Sequence, residues 1–595
     1  MKFPAIRTER GVIITSVLYP ILLEIGLYYN VVWYVQLFNI LLLALTMAIL
    51  LILWQRLKPT LVSGTIVMTA LSVANEFSIK ARSVAFQFSD FFCLKDAARL
   101  SGRYHFIPTW GMLWALVFSG ALLTCALLLL RNYHDRALRR RNLLRGASAI
   151  SLVLPVAMFT GIENHNDGDI KFDINTFTRE NGVLYSLFVE ARQHGVQAPV
   201  GYDPAAAAAA LTDGTAPTAE HTPNIIVIMN ESLADYDLTG ELDLTQDILP
   251  YIHSLDKNCL KGKALVSVYG GYTCNSEWEF LTGSSMAFLP VTCVPYNQII
   301  RQRTDSLASS LHSLGYQTTA LHPYHGVEWN RDNNYPFMGF DRFLTGEDFA
   351  EVTPEMLETL PEDTDRSLYF GDLEYIRGFI SDAEDYRKIY EIMEEKEAGV
   401  PQFIFNVTIQ NHGSYAYEGE DFQALPLCRD GDDPINQYLT VAHESDNAFR
   451  ELTEYFSAYD EDTIILMFGD HQPALDMPYR QLYADAQDSI AVRETSYTVP
   501  YVIWANYDVD WEEEGTVSLG YLSAILKEKA GLPLDAWDEF RLSARRTYPA
   551  FNSYGALCAD GSFTALSDAQ ASDVLREYWN LQYYRMFDQY AQETG

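Results

Sequence analysis

The chain has 595 residues, of which 48% are hydrophobic, 13% are aromatic and 20% are charged, with a formal net charge of −36. This composition excludes collagen-like, low-complexity and wholly disordered proteins, whose chains lack the apolar and aromatic residues of a packed core. A strongly acidic chain is also a poor nucleic-acid binder, since it would repel the phosphate backbone. The charge is uneven: residues 1–161 carry +10, whereas residues 162–595 carry −46.

The basic front of the chain has the composition of a membrane domain. Two of its apolar stretches are long enough for a bilayer core, which needs about 20 residues. Lys and Arg residues cluster before the first stretch and after the second and fourth, which places these three ends on the cytoplasmic side. We predict five transmembrane helices in residues 1–162, a cytoplasmic N-terminus and an extracellular remainder. A cleaved signal peptide is the alternative, but further apolar stretches follow the first. The stretches lie near residues 11–29, 31–54, 60–75, 108–130 and 147–161.

The loop between the third and fourth stretches, residues 80–106, is rich in aromatic residues and contains Lys95, Arg99 and Arg103. Rings and basic groups are typical of segments in the lipid headgroup region. We therefore expect an outer amphipathic loop, with an ordinary loop as the alternative.

The seven cysteines show no metal-type spacing. Five of them follow residue 162, where an oxidising exterior would permit a disulfide. Cys274 with Cys293 is the pair we favour for a disulfide, and free thiols are the alternative.

The acidic remainder divides into a connecting segment, residues 163–222, and a globular domain, residues 223–595. Residues 196–222 are rich in Ala, Pro, Thr and Gly, a composition typical of a linker. From residue 224 onward, β-type apolar runs alternate with helical patterns. This alternation predicts an α/β domain with a mainly parallel central sheet.

Several polar residues directly follow predicted strands. Glu231 follows the run 224–229, Asp470 and His471 follow the run 463–468, and His412 follows the run 402–408. The carboxyl ends of parallel strands form one edge of a sheet, where active sites lie. Carboxylates and imidazoles at that edge predict a divalent-metal site suited to Mn²⁺ or Zn²⁺. Each residue alone would be an ordinary turn or cap.

Thr273 lies between two glycines, at 270 and 271, and a short helical pattern that ends at Gly283. Glycines let a backbone approach a ligand closely. A helix start supplies free N–H groups that favour an anion, and metal coordination can activate a hydroxyl as a nucleophile. A simple N-cap is the alternative interpretation of Thr273.

A third group of residues follows the run 318–321: His322, Trp329 and Arg331. Arg pairs with phosphate oxygens in bidentate fashion, and an indole packs against small organic groups. These residues therefore predict a phosphodiester site, with a buried tryptophan and a surface arginine as the alternative.

In chain order, the motifs MNES, GGxTxNSEWEFLTG, HPYHGxxWNRDxxYPxxGFD, QNHGxY and FGDHQP resemble the lipoteichoic acid synthase family. These are membrane phosphoglycerol transferases of the alkaline phosphatase/sulfatase superfamily. The resemblance extends to PYVIWANYDVD and RRTYPAFNSYG near the C-terminus, and therefore implies a sulfatase-like domain that includes a C-terminal subdomain.

The resemblance implies a role for each matching residue. The family commonly has glycine and alanine on either side of the nucleophile, where this chain has Tyr272 and Cys274. These departures put the fit of the acceptor in doubt more than the type of reaction. The implied Mn²⁺ ligands, with Mg²⁺ or Zn²⁺ as alternatives, are Glu231, Thr273, Asp470 and His471. Thr273 is the implied nucleophile, and the implied glycerol-phosphate contacts are His322, Trp329, Arg331 and His412.

We therefore expect a multi-pass cell-membrane enzyme with phosphatidylglycerol as donor. Thr273 would form a glycerophospho-threonine, with His412 or His322 as proton donor, and a glycolipid-anchored glycerol-phosphate acceptor would grow into lipoteichoic acid. A single-step transferase acting as a primase or on a membrane glycan, a sulfatase-like phosphodiesterase and a catalytically silent binding protein are the alternatives. The family and the A-x-A spacing also suggest signal peptidase cleavage within residues 204–211.

Overall fold

The protein, analysed as a computed structural model, divides into two compact units. One comprises residues 1–91 and 104–195, and the other comprises residues 92–103 and 196–595. The structure describes residues 9–28, 31, 33–82, 85–91, 108–130, 174–193, 195–212, 219, 221–236, 242–290, 293–353, 356, 369–429, 431–475, 495–512 and 515–590.

The first unit is a set of apolar helices. Its described helices are α1 Glu9–Leu27, α2 Trp33–Trp54, α3 Leu57–Arg82, α4 Trp110–Leu129, α5 Ile174–Asn181 and α6 Val183–Gln193. Within the described residues, three helices are long and apolar enough to cross a membrane, namely α2, most of α3 and α4, and α1 adds a shorter apolar stretch. Trp33, Leu53 and Val117 are largely exposed, as expected of side chains that face lipid.

The interior of this unit is formed by Leu23, Leu43, Leu61 and Ala126 from the four long helices. The prediction of apolar N-terminal helices is confirmed. The predicted span at 147–161 and the basic residues of the loop 80–106 lie outside the described residues. The described part of that loop forms a 3₁₀ turn at Phe88–Phe91.

The second unit is built on a mostly parallel sheet, which confirms the predicted fold class. Among the described residues the sheet has eight strands in the order β10-β2-β9-β8-β1-β7-β3-β4. The five strands from β8 to β4 are parallel, and β9 is antiparallel to both of its neighbours. The strands are β1 Asn224–Asn230, β2 Cys259–Leu265, β3 Gln317–His322, β4 Arg342–Thr345, β5 Tyr375–Ile376, β6 Phe379–Ile380, β7 Gln402–Val407, β8 Thr463–Gly469, β9 Thr498–Ala505, β10 Thr516–Ser518, β11 Ala550–Phe551, β12 Gly555–Leu557 and β13 Phe563–Ala565.

Helices cover both faces of the sheet, as a parallel sheet requires. In β1, Ile225 and Val227 enter one core cluster and Ile226 and Ile228 enter the other. The continuous run of apolar residues in β1 follows from this two-sided burial. The helices are α7 Pro204–Ala210, α8 Pro250–Ser254, α9 Thr273–Thr282, α10 Pro295–Gln298, α11 Leu307–Ser313, α12 Arg331–Phe337, α13 Asp382–Glu395, α14 Asp433–Ser457, α15 Leu519–Lys529, α16 Ala536–Ala544, α17 Leu566–Ala569 and α18 Asp573–Tyr583.

The structure differs from the sequence interpretation at the alanine-rich segment. Residues 204–210, expected to belong to a linker, form helix α7, and Ala207 is buried in the core of the second unit. Tyr202 packs against Tyr583 with ring centroids 4.9 Å apart. The physical reason is local, because alanine is the best helix former and Asp203 caps the first turn.

Candidate active site

The register of the parallel sheet brings two candidate ligand groups together. Asn230 of β1 pairs with Gly469 of β8, so the residues that follow, Glu231 and Asp470, leave the sheet side by side. The site therefore lies at the carboxyl edge of the sheet, as the sequence predicts.

Glu231, Asp470 and His471 form a buried cluster. Ligand atoms of these three residues lie within 4.8 Å of one another. The Nε2 atom of His471 is 3.1 Å from Asp470 Oδ2 and 3.8 Å from Glu231 Oε1. Thr273 adds its hydroxyl, with Oγ1 3.3 Å from Glu231 Oε2 and 3.5 Å from His471 Nε2.

The chemistry of this cluster fits a divalent cation. The Nδ1 atom of His471 is 2.9 Å from the Gln472 carbonyl, so Nδ1 carries the proton and Nε2 presents a lone pair. Asp470 accepts the Ser232 N–H on Oδ1 at 2.7 Å, whereas its Oδ2 is buried without a hydrogen-bond donor. The lone pairs of Asp470 Oδ2 and His471 Nε2 therefore converge 3.1 Å apart, and a cation would stabilise them.

The pKa of Asp470 reflects how closely these buried acidic groups lie together. Burial, and then the nearby charge of Glu231, raise the pKa of the Asp470 carboxyl to about 7. A cation among these groups would favour the ionised form and reverse this shift. Mixed oxygen and nitrogen ligands suit Mn²⁺ or Zn²⁺, and also accept Mg²⁺.

Thr273 is the first residue of helix α9 and is buried beside the cluster. The preceding Tyr272 has a left-handed backbone with φ of 64°, and Gly270 has φ of 65°. This turn brings the hydroxyl and the N-terminal N–H groups of a ten-residue helix to the site, an arrangement that favours an anion.

His322 ends strand β3 and is buried. Its Nδ1 atom is 2.7 Å from the Val407 carbonyl, and its Nε2 atom is buried without a partner. Burial, and then the charge of Arg331, lower the pKa of His322 well below its ordinary value. The ring is therefore neutral, and Nε2 can accept a hydrogen bond.

Arg331 begins helix α12 and is buried rather than on the surface. Its Nε and Nη2 atoms donate to Glu277 Oε1 at 3.0 and 2.6 Å. The other oxygen of Glu277 accepts the hydroxyls of Tyr296 at 3.0 Å and Tyr335 at 2.7 Å. The Nη1 atom of Arg331 is left without a partner, which leaves a cationic donor for an anionic ligand.

Trp329 and Tyr272 lie ring to ring, with centroids 5.6 Å apart and planes at 40°. Both side chains are half-buried. Trp329 also has a left-handed backbone, with φ of 54°. The pair thus joins the turn before Thr273 to the segment before Arg331.

His412 differs from the other predicted residues, because it is exposed. Its Nδ1 atom is 2.7 Å from the Gly413 carbonyl, which leaves Nε2 for another partner. Arg377 fixes this loop by donating to the carbonyls of His412 at 3.0 Å and Gln410 at 3.1 Å. In the described residues, the metal-type cluster does not include His412.

The sequence analysis missed the buried groups that support the site. Glu277, the fourth residue after Thr273, lies within the motif NSEWEFLTG, but the sequence analysis assigned it no role. Behind Glu231, Asp382 accepts Asn230 Nδ2 at 2.8 Å and the Ser445 hydroxyl at 2.6 Å. Burial raises the pKa of Asp382 to about 6. From the sequence alone, an acidic residue at the start of α13 would be interpreted as a helix cap.

The suggested disulfide is absent from the structure. Cys274 and Cys293 are both buried, and neither is disulfide-bonded among the described residues. Burial raises the pKa of the Cys293 thiol to about 12, so this thiol is unreactive. The free-thiol alternative is the one that the structure supports.

A sulfatase family model matches residues 223–519, from the start of β1 to the start of α15. The chain is a lipoteichoic acid synthase-like member of the alkaline phosphatase superfamily. It is 23% identical over 258 residues to the lipoteichoic acid synthase of Staphylococcus saprophyticus, an alignment that covers 42% of this chain and 35% of that protein. The family resemblance seen in the motifs is confirmed.

A second relative aligns over more of the chain. It is a Rhizobium meliloti protein assigned to cyclic beta-1,2-glucan modification, 28% identical over 505 residues, which cover 80% of this chain and 73% of that protein. Among solved structures, the integral membrane protein lipooligosaccharide phosphoethanolamine transferase A of Neisseria meningitidis has a TM-score of 0.51 at 12% identity, over 89% of this chain and 96% of that one. At 12% identity, the likeness to this structure shows a shared fold.

Proposed function

We propose that the chain transfers phosphoglycerol from phosphatidylglycerol to a hydroxyl acceptor, with Thr273 as the nucleophile. The observation that carries the proposal is the position of the Thr273 hydroxyl, at a helix start and within 3.5 Å of two groups of a cation-fitting cluster. The unpartnered Nη1 of Arg331 supplies a donor for a phosphate oxygen.

The chemistry follows from these groups. A divalent cation held by Glu231, Thr273, Asp470 and His471 would lower the pKa of the threonine hydroxyl and neutralise phosphate charge. The Thr273 hydroxyl loses its proton to solvent, its Oγ1 atom forms a bond to phosphorus, and the bond from phosphorus to the diacylglycerol oxygen breaks. The product is a glycerophospho-threonine. In the second step an acceptor hydroxyl attacks the same phosphorus and Thr273 regains its proton.

His322 and His412 differ in burial and therefore in the role that each can have in the reaction. His322 is buried and its pKa is lowered, so its ring is neutral and suits accepting a hydrogen bond from a substrate hydroxyl. His412 is exposed to solvent. We therefore assign to His412 the donation of a proton to the leaving oxygen.

For the acceptor, we favour a glycan in a single-step transfer. This alternative gains support from the glucan-modifying relative, whose alignment covers 80% of the chain, about twice the share covered by the lipoteichoic acid synthase. Lipoteichoic acid synthesis on a glycolipid-anchored glycerol-phosphate acceptor is the second candidate, because the Staphylococcus saprophyticus relative is named as a lipoteichoic acid synthase. The bound metal would be Mn²⁺, with Mg²⁺ or Zn²⁺ as alternatives.

The location of the reaction is part of the proposal. Phosphatidylglycerol is a membrane lipid, and the apolar helices would hold the catalytic unit at the bilayer, with that unit on the outer side and the N-terminus in the cytoplasm. Signal peptidase cleavage in residues 204–211 stays a prediction. It would require helix α7 to open.

The experiment that tests the proposal uses the purified full chain in phosphatidylglycerol vesicles with Mn²⁺ and a neutral β-glucan. We expect release of diacylglycerol and phosphoglycerol on the glucan. Thr273→Ala should abolish the release, whereas Thr212→Ala, an exposed threonine, should retain it. Normal release by Thr273→Ala would exclude Thr273 as the nucleophile, and long glycerol-phosphate chains would favour the second candidate.

A further inference from the structure

Tyr272 holds a backbone conformation that is costly for its residue type. A φ of 64° places it in the left-handed region, where a bulky residue is strained and glycine is not. Such strain at a site points to a use for the side chain.

The Tyr272 ring lies beside another ring held in the same manner. Trp329 has φ of 54°, and its ring centroid is 5.6 Å from that of Tyr272. Both rings also contact the core cluster of the second unit, so part of each is structural. Their remaining surfaces are accessible, since both residues are only half-buried.

The position that precedes Tyr272 faces open space. A Cβ placed on Gly271, the neighbour of Tyr272, would meet no atom within 4 Å. The next residue on the other side is Thr273, where the phosphorylated intermediate would form. The half-buried ring of Tyr272 thus lies next in the chain both to this open position and to Thr273.

We propose that the rings of Tyr272 and Trp329 form a platform that binds a pyranose ring of a neutral oligosaccharide acceptor. The C–H face of a sugar packs on aromatic rings, while its hydroxyl groups remain free. One hydroxyl oxygen forms a bond to the phosphorus of the glycerophospho-threonine, and the bond from phosphorus to Thr273 Oγ1 breaks. The hydroxyl proton passes to Thr273 through His412. This inference rests on the proposed function and names the residues that select its acceptor.

The test measures acceptor choice rather than total activity. The full chain in phosphatidylglycerol vesicles with Mn²⁺ receives a neutral β-glucan oligosaccharide and glycerol together, and the two phosphoglycerol products are quantified. We expect the glucan-to-glycerol product ratio to fall roughly 10-fold in Tyr272→Gly, because the apolar stacking surface is lost. Asn258→Gly, which relieves another left-handed residue with φ of 51°, is the control and should keep the wild-type ratio.

A second pair of variants keeps the test valid if glycine disturbs the turn. Tyr272→Phe retains the ring and should hold the ratio within about 2-fold, whereas Tyr272→Leu removes the ring and should lower it as Tyr272→Gly does. An unchanged ratio in Tyr272→Leu would overturn the platform. Absence of diacylglycerol release by the wild-type chain would instead overturn the proposed function.

Discussion

The substitution Glu277→Gln tests how the site holds its arginine. Glu277 is fully buried and accepts two hydrogen bonds from Arg331 on one oxygen and two tyrosine hydroxyls on the other. Glutamine has nearly the same shape and keeps one oxygen for Arg331. The tyrosine hydroxyls can turn to accept from its amide. The change therefore removes chiefly the negative charge that balances the guanidinium.

The expected loss follows from that charge. Removing one partner of a buried ion pair leaves the other charge uncompensated and costs about 3–5 kcal/mol in unfolding free energy. Arg331 is 1% exposed, so solvent cannot replace the carboxylate. The hydrogen bonds that remain reduce the loss, and we place it near the lower limit, at about 3 kcal/mol.

Urea titration of the full chain in detergent, followed by tryptophan fluorescence, measures this difference between variants. Glu391→Gln is the matched control, since Glu391 forms an exposed pair with Lys388 and should change stability by less than about 1 kcal/mol. The double variant Glu277→Gln with Arg331→Met should be more stable than Glu277→Gln alone. A Glu277→Gln loss as small as that of the control would refute the reasoning.

Three further predictions concern the metal, a buried acid and a buried ion pair. Mn²⁺ at 100 times its dissociation constant should stabilise the metal-stripped chain by about 2.7 kcal/mol in a thermal shift assay, and Asp470→Asn should lose this gain. Burial raises the pKa of Glu279 to about 7, so the folded state keeps a proton that the unfolded state has lost above about pH 4.5. The free energy of unfolding should therefore fall by up to about 3 kcal/mol between pH 4.5 and 7. Glu279→Gln should show a shallower decline of the unfolding temperature with rising pH. Asp538 pairs with Lys527 in the core, so Asp538→Ala should cost about 3–5 kcal/mol in urea titration, against under about 0.5 kcal/mol for the exposed Asp573→Ala.

The parts of the site that sequence could predict are those fixed by strand ends. Glu231 and Asp470 each follow a continuous apolar run, and parallel pairing of two such runs forces the residues after them to the same edge. The turn that holds Thr273 could be predicted for a similar reason, because two glycines and a helical pattern surround it. Regular elements with local signals carry this information.

The parts that sequence could not predict depend on contacts between distant segments. Arg331 was expected to face either a phosphate or solvent, and its pairing with Glu277 links residues 54 positions apart. No pattern shows such a pair, because each residue alone is consistent with an exposed helix face. At residues 204–210 the composition suggested a linker, but the segment is helical, because alanine has a strong intrinsic preference for the helix.

The charges of the site determine how it can accept an anionic donor. Most of the second unit belongs to a region with a balance of −46, and the phosphodiester of the proposed donor, phosphatidylglycerol, is also negative, so the lipid headgroup would be repelled at a distance. Close to the site, Glu277 neutralises Arg331, and the ring of His322 is uncharged. Glu231 and Asp470 would then repel the phosphate unless a divalent cation balances them. Donor affinity should therefore depend on the loaded cation, whereas a neutral sugar on the aromatic pair carries no charge to be balanced.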